Sequence, residues 1–178
     1  MITVRTGRFV LLPLIGAAVG LSAGDVGLLI SIGALADLLL FPVSGVLMDR
    51  FGRLFAIVPA FSLMGIGLLM LAASDTGAGV TIAAVVIGVG NGLGSGTMLT
   101  LSADLAPATA PSGFLAALGT IRDAGKVAGP ATVGFITEAA SLSVSAVVMG
   151  ITAFVAAAVI AFGIGETLDR SPTEHLVS

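Results

Sequence analysis

The sequence has no cysteine, no tryptophan and no tyrosine, and its single histidine is His175 near the carboxyl end. Without cysteine the chain forms neither disulfides nor thiolate metal sites. A lone histidine in a polar segment is far more often solvated than bound to a metal. Tryptophan and tyrosine usually mark the two membrane interfaces, so their absence removes that signal. We therefore expect no metal and no cofactor.

Charged residues are also scarce, at 10% of the 178 residues, whereas hydrophobic residues make up 57%. A typical soluble domain has about 25% charged residues. The mean hydropathy is +1.17, and a soluble fold of this size could not bury so much apolar surface. The composition predicts an integral membrane protein, since six spans of about 20 residues would use nearly the whole chain.

Six apolar runs, separated by short polar breaks, predict six transmembrane helices. Each run is continuous over about 20 residues rather than alternating over about 10, which favours helices over the strands of a membrane barrel. The predicted spans are residues 4–21, 26–48, 54–73, 80–101, 113–137 and 144–164. They form one all-α, polytopic bundle over residues 1–165, and a polar tail follows over residues 166–178.

The lysines and arginines predict the orientation of this bundle. If the turn between the second and third spans is cytoplasmic, all seven bases fall in the cytoplasmic half, and the opposite loops hold Asp25, Asp75 and Glu138 but no base. Positive residues favour the inside of the membrane. Both termini are therefore expected in the cytoplasm, most simply across a prokaryotic inner membrane. The bases are Arg5, Arg8, Arg50, Arg53, Arg122, Lys126 and Arg170.

The amino-terminal segment has a second interpretation. Arg5, Arg8 and the apolar run from Phe9 to Leu21 could form a signal peptide, whose removal would leave five helices. Leu21 is a poor residue at the third position before the cleavage point, which favours a first span instead. That span begins almost at Met1, a pattern typical of part of a longer protein.

Asp37 is the best single candidate for a functional group. It lies in the middle of the second span, where an ionised carboxylate costs at least about 2.5 kcal/mol. Helical rise places Asp37 and Arg8 at one depth, both roughly 18–21 Å from the outer face. Two interpretations remain open: a static ion pair between two helices, or a protonation site that couples transport to protons.

The fifth span contains further charges, in the run Thr120-Ile-Arg-Asp-Ala-Gly-Lys126. Arg122 and Lys126 are four residues apart and share a helix face, whereas Asp123 points about 100° away. Arg122 lies near the predicted depth of Arg8 and Asp37. A cavity lined by these groups would suit an anionic or proton-coupled substrate. The alternative is that the two bases extend towards the cytoplasmic headgroups.

Glycines at a spacing of four predict close helix packing in the fourth and fifth spans. The fourth span also holds Asn91, which we expect to face a cavity and bind a substrate. The spacing does not match a nucleotide-binding loop. The glycines of the fourth span are Gly88, Gly92 and Gly96, and those of the fifth, with a proline that permits a bend, are Gly125, Gly129, Pro130 and Gly134.

The turn between the second and third spans carries the most specific motif, Gly45-Val-Leu-Met-Asp-Arg-Phe-Gly-Arg53. Its glycines supply backbone flexibility and its charges are excluded from lipid. It resembles the loop between helices 2 and 3 of the major facilitator superfamily. In that family, an acid at the end of the fourth helix joins this loop in a charge cluster that closes one side of the transporter. The resemblance assigns this cytoplasmic gate to Gly45, Asp49, Arg50, Gly52, Arg53 and Asp104.

The run from Gly125 to Gly134 is similar to the fifth-helix motif of the superfamily's antiporters. Together, these resemblances cover nearly the whole chain and imply one six-helix half of such a transporter, more similar to the carboxy-terminal half. The implied fold is a three-plus-three inverted repeat. The implied function is secondary transport of a small solute by alternating access, with Asp37 as the coupling group if efflux is driven by protons.

A single half would expose its charged pathway to lipid, which polar side chains resist. The resemblance therefore implies a partner besides the bilayer and a small-molecule substrate: either a complementary six-helix half or a second copy in a homodimer. A non-transporting membrane scaffold is the alternative from another class. We expect no enzyme, because the chain offers no Ser-His pair, metal cluster or acid dyad, and no nucleic-acid partner.

Overall fold

A computed structural model describes residues 2–96 and 111–163 of the chain. Over these residues the fold is all-α, as predicted, and each helix corresponds to one predicted span. The helices of this part are α1 (Ile2–Ala18), α2 (Ala23–Phe51), α3 (Arg53–Ala72), α4 (Gly77–Gly94), α5 (Pro111–Ala139) and α6 (Leu142–Gly163).

Four of these helices contain segments long and apolar enough to cross a bilayer: Ala23–Phe51, Leu54–Ala72, Gly77–Gly94 and Leu142–Phe162. They are α2, α3, α4 and α6, and they have the length that the hydrocarbon core requires. Helix α1 has only 17 residues, two of them arginines. Helix α5 has 29 residues, but charged side chains interrupt its apolar run. The helices thus fit an integral membrane protein, with four spans marked by length and composition.

The turn between α2 and α3 is shorter than predicted. Helix α2 continues to Phe51 and α3 begins at Arg53, so Gly52 alone separates them. Gly52 has a φ of +101°, a conformation that glycine adopts without steric cost. Gly45 lies inside α2 instead, so the prediction that it supplies flexibility to the turn is wrong. The helical hydrogen bonds of α2 simply extend through the charged residues, because a helix end outside the lipid can be polar.

A capping residue precedes the first residue of both α2 and α4. Ser22 Oγ accepts a hydrogen bond from the backbone N–H of Asp25, and the Asp25 carboxylate accepts from the backbone N–H of Ser22. Thr76 Oγ1 accepts from the backbone N–H of Gly79. Such caps satisfy amide groups that have no partner within the helix. They explain why α2 and α4 each start three residues before the predicted span.

Helix α4 ends earlier than the predicted span. It stops at Gly94, and Ser95 and Gly96 form a turn. The rest of the predicted span, from residue 97 to 101, lies outside the described residues. The Ser95 hydroxyl lies beside α2, 2.9 Å from Asp37 Oδ1.

The core lies where α3 meets α4 and α6. Helix α3 buries Ile57, Phe61, Met64 and Leu68, which are spaced three and four residues apart and so share one face. Helix α2 packs along α4, and α1 packs along α5. The outward face of α2 is apolar as well, since Leu38 is 69% exposed. A helix is expected to be apolar on both its inward and its outward face when the outward face meets lipid or another membrane subunit.

Candidate functional site

The glycine stripe of α4 allows close approach to α2. A Cβ atom on Gly88 would lie 2.6 Å from the backbone oxygen of Gly33, and one on Gly92 would lie 2.9 Å from the backbone oxygen of Asp37. A Cβ on Gly96 would lie 2.9 Å from Met48 Cε. The absence of side chains therefore lets the two backbones approach closely at Gly88 and Gly92, about one helical turn apart. This contact sets the distance at which polar groups of α4 meet Asp37.

Asp37 is the centre of a polar network between α1, α2 and α4. Asn91 Nδ2 donates a hydrogen bond to Asp37 Oδ2, and the Ser95 hydroxyl lies 2.9 Å from Asp37 Oδ1, to which it donates. On the α1 side, Arg8 Nη2 lies 3.8 Å from Asp37 Oδ2. Asn91 and Ser95 are four residues apart, so both side chains reach the same face of α4. The carboxylate is therefore surrounded by donors from two neighbouring helices.

Arg5 is a second cation in this network. Its Nε donates to Asn91 Oδ1 at 2.7 Å, and its Nη2 donates to the Asn91 carbonyl at 3.0 Å and to Ser95 Oγ at 2.9 Å. Asn91 thus links Arg5 to Asp37 through the two ends of its amide. From the sequence, Arg5 was expected only to set the orientation, and Ser95 was not expected to take part. The signal that could have found them is spacing, since Arg5 precedes Arg8 by three residues and Ser95 follows Asn91 by four.

Arg8 is the least satisfied member of the network. Its side chain is only 9% exposed, yet its Nε has no hydrogen-bond partner in the described part of the chain. The 3.8 Å separation from Asp37 is an ion pair beyond hydrogen-bond distance. The Phe9 ring lies 4.7 Å from the guanidinium carbon, a cation–π contact that offsets part of the cost of burial.

A recess opens beside Asp37 on the exposed face of α2, which points away from the helix bundle. Its volume is about 350 Å³, and it is lined by Ala34, Asp37, Leu38, Phe41 and Ser95. Three of these residues are apolar, and the polar atoms belong to the network. The recess is open rather than enclosed, and it combines an apolar wall with the polar groups of the network.

The charged residues of α5 form a separate group. Lys126 Nζ lies 2.8 Å from Asp123 Oδ1, and these side chains are 57% and 68% exposed. The spacing of four predicted that Lys126 shares a face with Arg122. In the structure Lys126 pairs with Asp123, because residues three apart also meet on a helix. The described lining of the recess at Asp37 contains none of the three. A cavity shared by Asp37 and Arg122 therefore stays a prediction.

The glycines of α5 differ in their surroundings. A Cβ on Gly125 would lie 3.2 Å from Ile2 Cβ, and one on Gly129 would lie 2.6 Å from the Thr3 carbonyl oxygen. These two glycines bring α5 against α1. Gly134 has no described atom within 4 Å of an added Cβ, so its packing role stays a prediction. The helix continues through Pro130.

The predicted cytoplasmic gate is only partly described. Asp49 and Arg50 are exposed at the end of α2, and the Arg50 guanidinium carbon lies 5.7 Å from the centre of the Phe51 ring. Asp104 and the side chain of Arg53 lie outside the described residues. The charge cluster of the gate therefore stays a prediction.

Comparisons with known proteins place the chain in a family of membrane proteins. The family model described as Major Facilitator Superfamily matches residues 1–176. Quinolone resistance protein NorA from Staphylococcus aureus strains N315, COL and MRSA252 is 26% identical over 127 residues. This match covers 71% of the chain but 33% of the relative, so it spans about a third of the relative's length. Because the family model covers nearly all of its residues, this chain belongs to the Major Facilitator Superfamily.

Proposed function

We propose that this chain is a six-helix unit of a secondary transporter that moves a small solute by alternating access. The observation that carries the proposal is the polar network at Asp37, which lies mid-way along an apolar helix of 29 residues. Ionisable groups at such a depth are costly in lipid and usually belong to a transport path. Family membership and the adjoining recess support the same function.

The packing of the helices supports an inverted repeat of three plus three helices, with α1 and α5 as spans in addition to the four apolar ones. Helix α1 packs along α5, and α4 packs along α2. Exchanging the two triplets, so that α1 replaces α4 and α2 replaces α5, converts one pairing into the other. Transporter folds of this kind place their substrate site at the repeat interface near the middle of the membrane.

A complementary half is the partner that this arrangement needs. The Lys126–Asp123 pair is exposed near the middle of α5, where contact with lipid is unfavourable for charged groups. A second six-helix unit would cover this face and form the other wall of an aqueous path. Both termini would then face the cytoplasm, and the gate at Asp49, Arg53 and Asp104 would lie on that side.

Asp37 is the group through which we propose proton coupling. Protonation would remove the attraction between Asp37 and Arg8 and would change what Asn91 and Ser95 contact. Because these contacts join α2 to α1 and α4, their loss would free α2 to move relative to its neighbours. A proton and a substrate would then act on the same helix contacts.

Transport in proteoliposomes tests this function. With Asp37→Asn, we expect a proton gradient to have no effect on the transport rate, because the variant side chain cannot ionise. The control is Asp75→Asn, the same chemical change at an exposed position between α3 and α4, which should keep the dependence on the gradient. Unchanged proton dependence in Asp37→Asn would remove Asp37 from the coupling mechanism.

Labelling of single cysteines tests whether α5 faces water. The chain has no cysteine, so each variant carries one thiol without background. We expect Thr120→Cys, one turn from Asp123, to react with a charged maleimide at least about tenfold faster than Val155→Cys on α6, since a thiol in lipid stays protonated and unreactive. Both positions are exposed and lie about 12–14 Å from one end of their helix. Equal rates would contradict an aqueous face on α5.

A further inference from the structure

The polar network holds more positive than negative charge. Arg5 and Arg8 contribute two cations, whereas Asp37, which pairs with Arg8 and is linked to Arg5 through Asn91, is the one carboxylate of the network among the described residues. Arg5 is satisfied by hydrogen bonds to Asn91 and Ser95. Buried charge is stable only when it is paired and hydrogen-bonded. One anionic group is therefore lacking for a neutral network.

Arg8 is the cation that lacks an anionic partner at hydrogen-bond distance among the described residues. Its side chain is more than nine-tenths buried, and its Nε meets no hydrogen-bond acceptor in the described part of the chain. A guanidinium presents a planar fork of donors that matches a carboxylate through two parallel hydrogen bonds. Asp37, at 3.8 Å, does not make such bonds. Arg8 thus has donors available for an acceptor that fits better.

We propose that Arg8, assisted by Arg5, binds the carboxylate of an amphipathic organic anion, and that Asp37 holds this position until the anion displaces it. The proposal rests on the proposed transport function, whose substrate class it names. Asp37 is the group suited to exchange, because it is 26% exposed and lines the recess beside the network. A ligand in the recess therefore reaches Arg8 by replacing the Asp37 carboxylate.

The lining of the recess indicates the polarity and size of the rest of the ligand. Its walls at Ala34, Leu38 and Phe41 are apolar, and its volume is about 350 Å³. This space suits an aromatic or aliphatic body of one or two rings, attached to the carboxylate. An organic cation is disfavoured, because it would add a third positive charge to a network that already has an excess.

Equilibrium dialysis of the purified full chain in detergent tests the proposal with 2-naphthoate as the probe and uncharged 2-naphthamide as its matched control. We expect 2-naphthoate to bind at least about tenfold more tightly than 2-naphthamide. Arg8→Gln should weaken naphthoate binding about tenfold, and Asp37→Asn should strengthen it about tenfold because the internal competitor is gone. Asp75→Asn, at an exposed position outside the network, should change the binding of neither ligand.

The gain in Asp37→Asn is decisive, since an unfolded variant cannot bind more tightly. Unchanged or weaker naphthoate binding in Asp37→Asn would overturn the proposal, as would equal affinities for the acid and the amide. Arg8→Lys keeps the charge but loses the fork, so we expect an intermediate affinity. If these binding results hold while proteoliposomes transport no solute, the proposed function fails and the anion site stands. If transport occurs without the binding changes, the site fails and the transport function stands.

Discussion

Asp37→Asn is expected to lower the free energy of unfolding of the chain by about 3 kcal/mol, because it removes one partner of a buried ion pair. Arg8 carries the cost: its side chain is 9% exposed and its Nε already has no hydrogen-bond partner within the described residues. Without the carboxylate, the charge of the network rises from +1 to +2. Titration with SDS, followed by circular dichroism in detergent, measures the loss.

A double variant separates the charge effect from a general defect. Asp37→Asn combined with Arg8→Gln returns the network to a charge of +1, so its stability should lie within about 1 kcal/mol of the wild type. Asp75→Asn, an exposed control, should change stability by less than about 0.5 kcal/mol. If the double variant loses as much as the two single variants together, the Arg8–Asp37 pair does not stabilise the fold.

Gly88→Ala should lower the free energy of unfolding by about 3 kcal/mol, because the added methyl group overpacks the contact between α2 and α4. Its Cβ would lie 2.6 Å from the Gly33 carbonyl oxygen and 3.0 Å from Gly33 Cα. These are backbone atoms, which cannot rotate away as a flexible side chain can. The two helices must separate instead, and this separation also moves Asn91 away from Asp37.

Gly134→Ala is the matched control, since it makes the same substitution inside a helix. No described atom lies within 4 Å of its Cβ. Alanine is favoured over glycine in helices, so we expect equal or higher stability, by up to about 1 kcal/mol. The same SDS titration compares the two variants. Equal effects at both positions would show that helix propensity, rather than contact between α2 and α4, decides the outcome at Gly88.

Features that depend on one segment at a time were predictable. The existence and order of the six helices follow from continuous apolar runs between polar breaks, and the turn at Gly52 follows from glycine and charge in a short break. The common depth of Arg8 and Asp37 follows from helical rise alone. Helix ends were less predictable, because capping by Ser22 and Thr76 adds about one turn, mostly of glycine and alanine, before each apolar run.

Features that depend on which faces meet were not predictable. Gly129 and Gly134 occupy similar sequence contexts, yet one contacts α1 and the other has no described atom within 4 Å of an added Cβ. The Lys126 side chain could extend along the face that it shares with Arg122 or turn towards Asp123. Only the structure shows that it pairs with Asp123. Ser95 joins the network because it follows Asn91 by four residues on the face of α4 that meets α2, and the sequence does not show which face that is.

By itself, the amino-acid sequence determined that this chain is a helical membrane protein with a charged group deep in its second span. Those conclusions need only composition, run length and the 1.5 Å rise of a helix. The tertiary structure alone decided that Arg5, Asn91 and Ser95 join Arg8 around Asp37, with one cation in excess. The physical reason is that apolar helices in lipid have little periodicity to mark their inner face. Their rotation and neighbours are therefore set by packing of small residues, which one sequence does not reveal.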